Sequence, residues 1–396
     1  MSRWLIIGGG IHGTHVAARL VEQAGVDPED LTLLDPAPRL LQSWLRCTER
    51  TGMRYLRSPA VHHLGTEPFE LLHYGREQET APCARPPFEE PYNRPAVSLF
   101  NAHADAVIAR TGIGPRHHVG RAVRARLGCD EVRVELEDGD SLSADRVVLA
   151  LGAGGQPRWP AWAQGLARSG ADISHIFGSR APSAGPSTKG EPSCLPIAVI
   201  GAGISGVQLA TRLASQDIPV VLVSGHPLRT HQFDSDPGWL GPRYMAEFSA
   251  ERAPDRRRAA IRSARFAGSV PPELADELRG NVSNGSIALH HGPVQAAHTA
   301  TGGIHLATPG ETIMVGRVVL ATGFEAHRPG GSLVDELIQT HRLRCATCGY
   351  PVPGPDLRWH PRVFVTGPLA ELELGPAARN IAGARRAAER MVSAVA

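Results

Sequence analysis

The stretch Trp4-Leu5-Ile6-Ile7-Gly8-Gly9-Gly10-Ile11-His12-Gly13 decides the fold. Four apolar residues in a row suit a short strand buried on both faces of a parallel sheet. The glycine cluster follows without a spacer, and Val16, Ala17, Leu20 and Val21 then recur at helical spacing. A second apolar run, Leu31-Thr32-Leu33-Leu34, ends on Asp35. Strand, glycine turn, helix, strand and terminal acid together make the dinucleotide-binding fingerprint. Gly8 permits the tight turn, and Gly10 lets the backbone approach a pyrophosphate. Gly13 allows the helix to pack against the strand, while the helix N-terminus offers free N–H groups to phosphates. Asp35 is placed to accept hydrogen bonds from a ribose diol.

The pattern occurs a second time. Pro196-Ile197-Ala198-Val199-Ile200 leads into Gly201-Ala202-Gly203-Ile204-Ser205-Gly206, then a helical pattern through Val207, Leu209, Ala210 and Leu213. The strand Pro219-Val220-Val221-Leu222-Val223 closes on Ser224-Gly225-His226, with Arg229 close behind and no carboxylate where Asp35 stood. An acid there would repel a ribose 2′-phosphate, whereas Ser224, His226 and Arg229 suit one. This favours NADPH over NADH at the second turn; the bland alternative makes Arg229 a solvated loop cation. Two such motifs in one chain imply electron transfer between nicotinamide and flavin, so the first turn is assigned to FAD. His12, inside that first loop, is read as a contact to the phosphates or the flavin.

The expected fold class is α/β, with two Rossmann-like dinucleotide domains, the NADPH domain inserted into a discontinuous FAD domain. Residues 1–180 form the first part of the FAD domain, 181–195 a Pro/Ser/Gly-rich linker, 196–322 the NADPH domain and 323–396 the remainder of the FAD domain. The strand Val147-Val148-Leu149-Ala150-Leu151-Gly152 finds a close echo in Val318-Val319-Leu320-Ala321-Thr322-Gly323. Gly152, Thr322 and Gly323 are therefore expected near the cofactors. A last strand, Val363-Phe364-Val365, leads to Gly367 and to a helix expected from Gly375-Pro376 onward. That helix either aims its N-terminus at the flavin pyrimidine or simply packs through Ile381, Ala384, Ala388 and Met391.

Composition excludes little beyond this. The 396 residues are 42% hydrophobic and 20% charged with a formal net charge of +2, which gives no electrostatic case for nucleic acid. No run approaches ~18 apolar residues, so a membrane span is not expected. No signal peptide is apparent, and the six irregularly spaced cysteines argue against a disulfide framework, so a cytoplasmic location is expected.

The residues also resemble a family, the class B flavin-dependent monooxygenases, and within it the N-hydroxylases of ornithine and lysine side-chain amines. The resemblance rests on the paired glycine motifs and on Leu320-Ala321-Thr322-Gly323-Phe324 followed by Glu325-Ala326-His327-Arg328-Pro329. It rests also on Met53-Arg54-Tyr55-Leu56-Arg57-Ser58-Pro59 and on Arg94-Pro95-Ala96-Val97-Ser98-Leu99-Phe100. It departs from the family at Gly316, where an aspartate is expected, and at Arg57-Ser58, where a Lys-Asp pair is expected. The resemblance implies that NADPH reduces FAD and that reduced flavin captures O2 as a C4a-hydroperoxide. That species passes oxygen to a small nucleophilic substrate such as an amine or amino acid. Homo-oligomers are common in that group. No metal cluster or catalytic triad is expected.

Arg54, Arg57, Ser58, His62 and His63 are the candidates for the flavin face, where a cation would stabilise developing negative charge. Adjacent histidines of this kind are more often surface or packing residues than ligands. The segment 233–242, Phe-Asp-Ser-Asp-Pro-Gly-Trp-Leu-Gly-Pro, reads either as a lid or as a loop packed by Trp239. Cys345-Ala346-Thr347-Cys348 has redox-pair spacing, and a flavin-dependent thiol/disulfide oxidoreductase is the rival enzyme class. Inert cysteines, or zinc with His341 and His360, are the other readings of that pair. A flavin-binding protein without turnover is the rival outside enzymes.

Overall fold

Strand β1 (Trp4–Ile7) is buried along its whole length, and helix α1 (Ile11–Ala24) starts four residues later, with the glycine turn between them. The pleat explains the all-apolar run: β1 lies inside a sheet, paired in parallel with β2 (Leu31–Asp35) on one side and β4 (Arg146–Leu149) on the other. In this computed structural model, which describes residues 3–78, 86–178 and 195–395, β3 (His117–Val119) extends the sheet beyond β2. The chain then leaves this sheet.

A second parallel sheet is laid down next: β5 (Ile173–His175), β6 (Ile197–Ile200), β7 (Val220–Ser224), β8 (Ile287–His291) and β9 (Arg317–Leu320). Its spatial order is β5-β9-β6-β7-β8. The chain then returns to the first sheet with β10 (Arg358–His360) and β11 (Val363–Val365), giving the order β10-β11-β4-β1-β2-β3. Only the β10–β11 pair at the edge is antiparallel. The first sheet is thus built from both ends of the chain, with the second sheet inserted. Three-stranded antiparallel sheets accompany each, residues 122–144 in the first unit and 296–315 in the second.

The boundary drawn at residue 180 is corrected by β5. Ile173–His175 pairs with Val318–Leu320 of β9, so the chain has changed sheets before residue 173. Three residues that include Ser174 and His175 give too short and too polar a run to stand out as a buried strand. Of the expected linker, 181–194 lies outside the described residues, as do Cys83 and Cys194.

Each glycine-turn helix packs on its own sheet, α1 in the first unit and α2 (Ile204–Ala214) in the second, where α3 (Pro272–Ser283) lies beside it. The last helix, α4 (Ile381–Ser393), packs along α1 through buried Ala384, Ala387, Ala388 and Met391. Small residues on both helices let the backbones come close. The expected helix start at Gly375 is corrected: Pro376–Arg379 is a single 3-10 turn, and α4 begins at Ile381.

Candidate cofactor and interdomain site

The first glycine turn has the geometry of a phosphate cradle. Gly8 adopts φ +116°, and a Cβ there would meet the Ala150 carbonyl at 2.4 Å. A Cβ on Gly13 would fall 1.8 Å from the Gly8 carbonyl, so only glycine lets α1 approach β1 this closely. Gly10 is different. It is the N-cap of α1, no side chain caps it, and a Cβ there would meet nothing within 4 Å. The first N–H groups of a helix have no partner inside it, so this open space is lined by donors. Gly152, Gly154 and Gly155 leave similar room, with no neighbour closer than 4.0 Å to an added Cβ.

Two side chains brace the cradle. Asp35 accepts from the Gly9 N–H at 2.7 Å and from the Ala37 N–H at 2.8 Å, one oxygen to each. It thus holds the turn in shape, in addition to the ribose role expected of it. His12 Nδ1 lies 2.9 Å from Thr366 Oγ1, and a Cβ on Gly367 would be 3.6 Å from its ring. His12 therefore joins the N-terminal turn to the returning strand at Thr366–Gly367. Burial pushes its pKa down to about 4, and a hydrogen bond with the backbone of Arg379 offsets this only in part. An uncapped helix and open space at Gly10 fit a bound dinucleotide pyrophosphate.

The second turn repeats the backbone but not the openness. Gly201 takes φ +114°, Gly206 approaches the Gly201 carbonyl as Gly13 does Gly8, and Gly203 is an uncapped N-cap. Here, however, a Cβ on Gly203 would be 3.5 Å from the Gly268 backbone. A pyrophosphate in this turn would touch Gly268 directly. Ser205 lies half-buried in the first turn of α2.

Ser224 is buried, and its hydroxyl donates to the His226 carbonyl at the end of β7. Arg229 is exposed and His226 half-buried, the imidazole Nδ1 against the Pro227 carbonyl and the guanidinium donating to the Ala267 carbonyl at 3.0 Å. Thr322 donates to the Arg158 carbonyl, and Arg158 N–H to that of Gly323, which ties the second echoing segment to the loop that follows the first. Gly375 and Pro376 lie away from the solvent. Both are buried, with Gly375 against Met245 and Trp239 and the Pro376 carbonyl accepting from Arg265 at 2.7 Å.

The proposed flavin-face residues separate into three environments. Arg57 is not a free cation: its Nε donates to the Gln232 carbonyl at 2.7 Å, and Nη2 contacts the His231 and Phe233 carbonyls and Ser269. It clamps the first unit onto the second. Replacing Arg57 with alanine should lower stability by about 2 kcal/mol, because several acceptors lose a charged donor at once; the urea midpoint measures this, and an unchanged midpoint would rule out a clamp.

His63 is fully buried, accepting from the Gly65 N–H and stacked edge-on against His103. Burial and the nearby Arg385 push it down to about 3. It packs in the core beside His103. His62 is half-buried and pushed down to about 4 by the same two causes. Ser58 is half-buried beside Arg57. Arg54 pairs with Glu277 of α3 across the domain boundary.

Arg54 and Arg57 line a cavity of about 520 Å³ between the units. Its first wall is formed by residues 52–57 with Glu89 and Arg94, and its second by α2 and the start of α3. Sequence reasoning missed the α2 wall. A signal was present: Gln208, Thr211 and Ser215 recur three and four residues apart, a polar stripe on a helix expected to be apolar there.

The loop around Trp239 takes the structural reading. Asp236 caps a 3-10 turn, Trp239 packs on Tyr244 and Phe248, and Asp234 accepts from Asn380. Cys345 is half-buried and Cys348 exposed, both as free thiols in a tight turn closed by Ala346 and Tyr350.

Comparison with known proteins agrees with this geometry. The structure has the two-domain FAD/NAD(P)-binding fold of flavoprotein oxidoreductases, and residues 5–154 match the family described as FAD-NAD(P)-binding. Ornithine hydroxylase PvdA from Pseudomonas aeruginosa superposes with a TM-score of 0.74 at 17% identity, over 100% of this chain and 98% of that one. Lysine monooxygenase NbtG from Nocardia farcinica gives 0.60 at 16% identity, over 98% and 99%. Bacillithiol disulfide reductase Bdr from Bacillus cereus gives 0.63 at 17%, over 100% and 98%. A search of curated protein sequences returns no match. At such identities the structural likeness establishes the fold. No helix among the described residues is long and apolar enough to cross a membrane.

Proposed function

We propose that this protein is an FAD- and NADPH-dependent monooxygenase that oxygenates a small nucleophilic substrate, with the nitrogen of an amine or amino acid as its target. The observation that carries the reading is the pair of uncapped glycine turns in one chain, one in each of two domains clamped together. The likeness to ornithine and lysine hydroxylases supports it.

When bound, the flavin accepts hydride from NADPH and activates O2, chemistry that no side chain supplies. The chain's own part is to bind and enclose. The N–H groups at the start of α1 take the FAD pyrophosphate, Asp35 fixes the turn and faces the ribose, and His12 stays neutral at the cradle. His226, half-buried, and the exposed Arg229 take the 2′-phosphate of NADPH at the second turn. Arg57 holds the two units closed, which limits water at their interface.

The test is turnover with a panel of amines and amino acids, counting hydroxylated product against NADPH consumed. Product formed in proportion to NADPH is the expected result; hydrogen peroxide with every compound would remove the oxygenase reading.

A second reading, a flavin-dependent thiol/disulfide oxidoreductase, is favoured by the accessible Cys345–Cys348 pair and the likeness to Bdr. Cys345→Ser with Cys348→Ser separates the two. Unchanged NADPH-coupled product formation is expected, and loss of NADPH-driven disulfide reduction in the double variant would establish the rival.

A further inference from the structure

We propose that the outer face of the three-stranded antiparallel sheet in the second unit carries a copper(I) site, held by His298, His305 and Met314. The inference uses no residue of either glycine turn and does not rest on the oxygenase reading.

Register brings the three side chains into one row. The sheet is formed by Ala296–Ala300, Gly303–Thr308 and Glu311–Val315. His298 stands directly opposite His305, and His305 directly opposite Met314. Directly opposed residues share a face, with Cβ atoms roughly 5 Å apart. The alternate residues Ile304, Leu306, Ile313 and Val315 are buried with Ala163 and Leu166 of the helix Ala161–Arg168, so the histidine row lies on the other face. His298 and Met314 are exposed there, and His305 between them is half-buried. The positions flanking the row are short: Ala296, Ala307 and Thr312 on one side, Ala300 and Gly303 on the other. Leu195 closes over Gly303 and bounds the row there, while Met314 Cγ would lie 3.6 Å from a Cβ at Gly303.

The spacing of the two rings fits a shared ion. A metal–nitrogen bond of ~2.0 Å puts the centres of two imidazoles on one ion roughly 5 to 5.5 Å apart, at tetrahedral to trigonal angles. The centres of His298 and His305 are 5.3 Å apart, with their planes tilted by 50°. Both rings are also available. His290 is taken by Glu311 at 2.7 Å, whereas among the described residues no hydrogen bond occupies His298 or His305.

The ligand set selects the metal. Two imidazoles suit zinc, copper and nickel alike, but a thioether is a soft donor that selects copper(I). The row and its flanks hold no carboxylate, so nothing in them favours a hard cation such as magnesium or calcium.

The test uses the FAD-loaded full-length protein with its thiols blocked by N-ethylmaleimide, so that cysteines do not compete. Anaerobic equilibrium dialysis against copper(I) buffered by bicinchoninate, with the metal counted by atomic emission, should find a single copper per chain. His298→Gln and His305→Gln should each weaken copper(I) by at least ~10-fold, the loss that even an outer partner of a metal ligand brings. Met314→Leu keeps the bulk and removes the sulfur; it should weaken copper(I) and leave zinc binding, measured in the same way, unchanged. All three side chains stand on the outer face, so melting temperatures should hold. A parent protein that takes up no copper, or histidine variants that bind it as the parent does, would overturn the site. A Met314→Leu protein with the parent's copper(I) affinity would overturn the choice of metal.

Discussion

Gly10→Val is expected to yield a folded protein that no longer binds FAD. The backbone at Gly10 has φ −81° and ψ −169°, extended values that any L-residue adopts, and a Cβ there meets nothing within 4 Å. Fold stability should therefore change by less than about 1 kcal/mol. The isopropyl group would fill the space at the uncapped start of α1 where a pyrophosphate must lie. Affinity for FAD should fall at least ~100-fold, nearly 3 kcal/mol. Gly13→Ala is the contrasting control, because its methyl would sit 1.8 Å from the Gly8 carbonyl. There α1 and β1 must part, and roughly 3 kcal/mol or more of stability should go with them. Thermal melts and FAD titration by flavin fluorescence read the two effects separately. A yellow, FAD-saturated Gly10→Val protein would refute the cradle.

The second large effect is loss of stability on mild acidification. His12 is held down to about 4 by burial, and His63 to about 3 by burial and by Arg385. His15, fully buried, is lowered well below its usual value by burial first and then by Arg385 and Arg19. Burial lowers His175 to about 4 as well. A histidine whose folded pKa lies below the unfolded value of about 6.5 refuses a proton that the unfolded chain accepts. Stability is therefore whole above pH ~6.5 and drains as the pH falls towards the folded values, by about 1.4 kcal/mol per pH unit for each such group. Glu70 adds to the trend at lower pH. Burial alone would raise it, but hydrogen bonds to His103 and Arg110 more than offset that, so its contribution is lost below the usual carboxylate range. Urea midpoints at pH 7, 6 and 5 should fall steeply and in order. A flat profile over that range would mean that these histidines protonate without resistance in the folded state.

The parts of the molecule that were legible in its sequence are those fixed by local backbone need. Gly8, Gly13, Gly201 and Gly206 lie where a positive φ or a sub-contact approach admits no side chain, so strand, turn and helix followed from the pattern. The echo of 147–152 in 318–323 likewise reflected two strands placed alike, each paired with the strand before its glycine turn. What the sequence left hidden depends on contacts between distant segments. Arg57 looked like a free cation because its acceptors lie about 175 residues away, at 231–233. Ser224 looked like a ligand because nothing local says that its hydroxyl turns inward to the His226 carbonyl. His63 was ambiguous for the same reason: its environment is made by α1, α4 and His103, all remote in the chain. The interdomain cavity needs one wall from each unit, so no single stretch announces it.

The most direct test of the central claim is anaerobic mixing of the FAD-loaded protein with NADPH while flavin absorbance is followed. Two dinucleotide turns working together predict bleaching of the oxidised flavin, faster with NADPH than with NADH, and its recovery when oxygen is admitted. A flavin that stays oxidised under excess NADPH would contradict the account, leaving a protein that binds FAD without passing electrons to it.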